Sequence, residues 1–136
     1  MRTLNKKATE VLNILTTDLK NPGDHKVFDA HNYTKKWDGG IMATHVENIG
    51  FMADYPLFSI AHYYKQNGDM MQDPEMCFLK IGSQFFPCMF QQANMGLYEE
   101  SIFMKDNTMK YNPRMQKDHA LFANMWMKNI KDQQNL

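Results

Sequence analysis

At 136 residues, with 43% apolar and 12% aromatic side chains, the chain carries enough apolar surface to fill one compact core, and a single domain over residues 1–136 is expected. Fifteen Lys and Arg balance fifteen Asp and Glu, so no net field draws the protein onto nucleic acid or an anionic membrane. The longest apolar runs, such as residues 85–90, fall far short of the roughly 20 residues that cross a bilayer.

The first residues interleave apolar and polar side chains and do not read as a signal-peptide core. Two cysteines, Cys77 and Cys88, are too few for a disulfide framework and lack zinc-ligand spacing. A cytoplasmic protein with reduced, partly buried thiols and no cofactor is the expectation. Thirteen methionines are open to two readings, an adaptable contact surface or filler for irregular core gaps.

In chain order, Leu4, Ala8, Val11, Leu12, Leu15 and Leu19 recur in steps of three and four, which predicts a helix over residues 3–20 within an N-terminal segment 1–21. Thr3 is a candidate cap, and Asn21, Pro22 and Gly23 stop the helix. Residues 24–40 lose periodicity and read as a loop holding a short strand at 26–29.

Residues 41–105 read as a sheet. Short aromatic or β-branched runs at 42–49, 57–65, 76–81, 84–91 and 97–104, separated by turn residues, predict an antiparallel meander of about five strands. Gly82-Ser83 is a two-residue hairpin signal that pairs Ile81 with Gln84 and Leu79 with Phe86, and so sets Cys77 opposite Cys88. Pro87 falls in a non-hydrogen-bonded pair of that hairpin, so its missing N–H faces the next strand, 97–104, and a bulge, or pairing that begins beyond Pro87, would resolve the conflict.

Asn112 as cap and Pro113 at the first helical position open a second helix over 112–131, with Met115, His119, Phe122, Trp126 and Ile130 on one stripe. The polar residues 132–136 are expected to fray. The fold class is therefore α+β, a meander flanked by an N-terminal and a C-terminal helix.

The densest polar cluster runs from His62 to Glu75. Asp69, Asp73, Glu75 and the His62 imidazole would make a metal or acid/base site if a loop folded them together. Alternatively Asn67 and Gly68 supply the left-handed residues of a turn and the acids serve a loop. His25, His31, His45 and His119 form no HExxH pair, and His119, on the apolar stripe, reads as a hydrogen-bonded residue at the core edge. No GxSxG elbow surrounds Ser59, Ser83 or Ser101, and nothing near Cys88 depresses a thiol pKa. Tyr33, Lys35, Lys36 and Trp37 form a small basic and aromatic patch able to stack a base and touch phosphate.

The stretch from His62 through Tyr63-Tyr64-Lys65-Gln66-Asn67-Gly68-Asp69 to Asp73-Pro74-Glu75-Met76 resembles the signature of an uncharacterised small domain encoded by phages and conjugative elements of gut bacteria. Phe122, Ala123, Asn124, Trp126, Asn129, Ile130 and Gln133 resemble its closing helix. The likeness covers about residues 41–133 and leaves the first helix outside. It transfers no established activity. By analogy with other small proteins of mobile elements, it implies stoichiometric binding to host machinery, a CRISPR nuclease being the concrete case.

The expectation is thus a non-catalytic inhibitor that contacts its partner through Tyr63, Tyr64, Asn67, Asp69, Asp73 and Glu75, with no catalytic residue and no metal. The competing classes are an enzyme centred on His62 and the neighbouring carboxylates, and a nucleic-acid binder using residues 33–37.

Overall fold

The structure, a computed structural model, describes residues 1–36 and 40–136. Helix α1 (Lys6–Thr16) is capped by Asn5, whose Oδ1 accepts from the Ala8 N–H at 2.8 Å. It buries Ala8, Val11, Leu12 and Leu15, the stripe read from the sequence. The helix is shorter than predicted because residues before it lie along the sheet: the Leu4 N–H and the Thr3 hydroxyl both donate to the Phe85 carbonyl. Thr3 is therefore not the cap, while Leu4 and Leu19 are buried from outside the helix.

Strand β1 (His25–Phe28) follows. Asp29 then caps the single-turn helix α2 (Tyr33–Lys36), accepting from the Tyr33 and Thr34 N–H groups. The meander continues with β2 (Thr44–Met52), β3 (Tyr55–Gln66), β4 (Asp69–Ile81), β5 (Gln84–Gln92), a 3₁₀ turn at Ala93–Met95, and β6 (Leu97–Glu100). Every neighbour is antiparallel and sequential, so the sheet has six strands where five were predicted. The sixth is β1, which pairs residue for residue with β2 from His25↔Glu47 to Phe28↔Thr44.

The predicted strand 97–104 divides at Ser101. Its N–H donates to the Cys88 carbonyl, and its own carbonyl accepts from the Asn112 N–H. The chain then leaves the sheet for a separate hairpin, β7 (Ile102–Lys105) and β8 (Thr108–Tyr111), turning at Asp106 and Asn107, both at positive φ. Such a two-residue turn matches the twist of a hairpin.

The Gly82-Ser83 turn sets the register as expected through Ile81↔Gln84 and Leu79↔Phe86. Beyond Phe78↔Pro87 the register shifts, and Cys77 pairs with Met89 instead of Cys88. The strand inserts Cys88 as the extra residue of a bulge, and β5 pairs with β6 only from Met89↔Glu100 onward, beyond Pro87, where the missing N–H is not needed.

Helix α3 (Pro113–Gln133) has the predicted Asn112 cap, which accepts from the Met115 N–H. It does not fray at residue 134: the buried Gln134 side chain accepts from the Ala30 N–H and donates to the Met42 carbonyl, which docks the chain end. Both helices pack on one face of the sheet, around Val46, Ile60, Met76, Phe78, Phe85, Trp126 and Ile130. The opposite face has a smaller cluster, Cys77, Leu79, Cys88 and Ile102, with the β7–β8 hairpin contributing Ile102 and Met109. The remainder of that second face is open.

Candidate functional site

Period-two alternation sorts side chains between the two faces. Reading register across the strands, one rung of the open face runs His25, Glu47, Ser59, Cys77, Met89, Glu100. The next runs Val27, His45, Ala61, Glu75, Gln91, Tyr98. A shallow cleft of about 270 Å³ opens over His25, His45, Glu47, Ser59, Tyr63 and Glu75. A second, of about 380 Å³, continues from Glu75 over Cys77, Cys88, Met89, Tyr98 and Glu100.

Three carboxylates, Glu47, Glu75 and Glu100, thus stand on one surface among phenols and imidazoles. Ser59 Oγ donates to Glu75 Oε2, and the Tyr98 hydroxyl donates to Glu100 Oε1 at 2.8 Å. That bond to a carboxylate pushes the Tyr98 phenol up to about 12. The Tyr63 phenol is also raised, first by burial and then by the Glu75 charge. Its ring meets the His45 ring edge to face at 4.8 Å, and burial lowers the His45 pKa. With a neutral imidazole packed on a protonated phenol, the charged side chains here are Glu47, Glu75 and Glu100, with Lys26 at the edge of the first cleft.

A second feature adjoins it. At Ala61↔Glu75 and Tyr63↔Gln72 the register shifts again, with Asp73 and Pro74 opposing His62. Beyond that bulge, residues 63–66 and 69–72 pair only with each other, because β2 ends its pairing at Thr44↔His62 and β5 at Glu75↔Gln91. The hairpin therefore projects past the sheet as a two-stranded arm. Its tip is Asn67 (φ 52°) and Gly68 (φ 87°), the left-handed pair that a two-residue type I′ turn requires.

The segment read as a loop is thus mostly strand, and its acids do not converge. Asp69 is exposed beside the tip, six residues or about 20 Å of extended chain from Glu75. Asp73, at the bulge, accepts from Gln92 Nε2 at 2.9 Å. Tyr63 faces the open cleft, and Tyr64 alternates to the other side of the arm. The sequence suggested six contact residues; the structure groups Tyr63 with Glu75 at the arm's base and Asn67 with Asp69 at its tip.

His62 is on the helix side of the sheet. It is 4% exposed, its Nε2 is 3.0 Å from Thr44 Oγ1, and its ring meets Trp126 edge to face. Burial lowers its pKa to about 4, so it is neutral at neutral pH. The sheet stands between this imidazole and Glu75, and the two cannot act on one atom. No group of three or more His, Cys, Asp or Glu side chains is placed to hold a metal ion among the described residues.

Of the basic patch, Tyr33 is buried, so stacking a base on its ring would require α2 to open. Lys35 and Lys36 are exposed, and Trp37 lies outside the described residues. Sequence reasoning placed His119 correctly as a hydrogen-bonded residue, but not its partners: Nδ1 is 2.7 Å from Ser101 Oγ, and Nε2 is 3.1 Å from Glu99 Oε1. This Ser–His–Glu chain resembles a hydrolytic relay in composition, yet Ser101 is fully buried and no substrate carbonyl can reach it. It ties β6 to α3. The bend at Ser101, invisible in the linear spacing, helps bring the three together.

No helix among the described residues is long and apolar enough to cross a membrane. The family model for a domain of unknown function, DUF6908, matches residues 9–136, and the chain belongs to that family. The match reaches back into α1, further than the resemblance noted from the sequence. No curated protein and no solved structure matches the chain.

Proposed function

We propose that this DUF6908 domain acts by stoichiometric binding to a protein partner, using the projecting arm and the open sheet face at its base. The observation that carries this reading is the arm. A two-stranded ribbon that gains nothing from a neighbouring strand is marginal on its own, and this one exposes Asn67, Asp69 and Met70 at its end. Exposed Met70 there fits the adaptable-contact reading of methionine.

The partner's chemistry follows from charge. Glu47, Glu75 and Glu100 on the face, with Asp69 at the tip, complement a surface rich in Arg and Lys, and carboxylates can occupy such a surface in place of phosphate. A nucleic-acid groove of a host nuclease has that character. The reading is therefore an inhibitor carried by a bacterial mobile element and acting in the host cytoplasm on a defence nuclease, a CRISPR effector being the concrete case. Local charge suffices for this even though the net charge is zero.

The test is affinity purification of the tagged full chain from a bacterial host that carries CRISPR and restriction systems, with Asp69→Lys and the combined Glu47→Gln, Glu75→Gln, Glu100→Gln variant alongside. Asp73 is left in place because it bonds Gln92. Wild type should retain a nucleic-acid-processing protein, and both variants should lose it while keeping the wild-type circular dichroism spectrum. Retention of that protein by both variants would remove the arm and face from the mechanism.

A further inference from the structure

The bulge at Cys88 breaks the alternation of β5 in a specific way. Phe85 and Phe90 belong to the helix-side core, whereas Phe86, Cys88 and Met89 belong to the cluster on the other face. Two consecutive residues, Cys88 and Met89, are therefore delivered to the same side, opposite Cys77. Met52 joins them, and all four line the 380 Å³ cleft. The Cys88 thiol lies against the backbone of Cys77, donating to its carbonyl at 3.4 Å. Both cysteines are free.

We infer that the cleft over Cys77, Cys88, Met52 and Met89 is a binding site for a soft monovalent metal ion of the Cu(I) or Ag(I) class. Two thiolates with thioether support are the donor set that soft ions prefer, and hard or borderline ions find no comparable set here. This site goes beyond the partner-binding reading and does not depend on it. The cleft has a solvent mouth beside the exposed Ile49 and Tyr98, with Glu75 and Glu100 on its wall to draw a cation inward.

Binding must ionise the thiols. Two S–H bonds break, two metal–sulfur bonds form, and two protons leave for solvent past the Glu75 and Glu100 carboxylates. The bis-thiolate complex of a monovalent ion then carries one negative charge. Occupancy should therefore strengthen as pH rises.

The experiment is anaerobic titration of the full-length protein with Cu(I), held by a chromophoric Cu(I) chelator as competitor, and in parallel with Ag(I) followed by calorimetry. The expected result is one ion per chain, release of about two protons measured in buffers of different ionisation enthalpy, and new near-ultraviolet metal–thiolate absorption. Cys88→Ala should weaken binding about a hundredfold or more, and Met89→Leu, which conserves volume and folding, about tenfold. Chelator competition unaffected by Cys77→Ala or Cys88→Ala in chains with native circular dichroism would overturn the site, and so would no uptake by wild type. An unchanged affinity in Met89→Leu would overturn the thioether's part.

Discussion

The Ser59 hydroxyl donates to Glu75 across β3 and β4, and the bond runs diagonally, because Ser59 pairs with Cys77 while Glu75 pairs with Ala61. It joins the two rungs of the open face. Ser59 is buried and Glu75 half-buried, so the hydroxyl both fixes the carboxylate's direction and replaces water lost to burial.

A hydrogen bond to a charged group contributes more than a neutral one, though partial exposure reduces that gain. In urea unfolding, a double-mutant cycle of Ser59→Ala and Glu75→Gln should show a coupling energy of about 1 kcal/mol. Additive effects would mean that the bond orients Glu75 without stabilising the fold.

His62 makes the fold sensitive to acid. Its pKa is about 4 in the folded chain against about 6.5 when unfolded. Between these values the unfolded chain binds a proton that the folded chain refuses, so stability is greatest above pH 6.5 and falls as pH drops toward 4. The half-buried His45, shifted down by partial burial, acts in the same direction. Wild type should lose about 2 to 3 kcal/mol between pH 7 and pH 4 through His62 alone. Denaturant melts across that range should be visibly flatter for His62→Gln, and parallel slopes would reject the account.

The β2–β3 turn contains a cheap improvement. Ala53 and Asp54 are both at positive φ, 49° and 65°, and Ala53 is exposed. A left-handed alanine costs about 1 to 2 kcal/mol, part of which glycine recovers after its own entropy is counted. Ala53→Gly should raise the unfolding free energy by about 0.5 kcal/mol, read as a small rise in thermal midpoint. A fall would show that the turn relaxes with alanine in place.

Much of the fold was legible because local chemistry and tertiary need agreed. The stripe of α1, the Asn112-Pro113 opening of α3 and the Gly82-Ser83 turn each speak within a few residues. What escaped was non-local. Cys88 slips out of register because Pro87 cannot complete a ladder, and the linear pattern does not say on which side of the proline the bulge will form. The Asp106-Asn107 hairpin was masked by reading 97–104 as one strand, although two adjacent Asx residues between Lys105 and Thr108 are a turn signal. Residues 66–75, between the runs read as strands, looked like a loop because an arm wetted on both sides needs no apolar alternation. The candidate contact residues were named from residues 63–75, but Glu47 and Glu100, brought beside Glu75 by the meander, have no linear mark.

The two-rung face is also a ruler. Strands repeat about every 4.8 Å and same-face residues about every 6.7 Å, which puts Glu75 about 12 Å from Glu47 on one side and from Glu100 on the other. A single helical turn, rising about 5.4 Å, is too short to meet two of these charges. Under the proposed reading, the matching cations would come from separate turns or separate segments held at fixed separation, which fits a preformed basic surface better than one short basic helix.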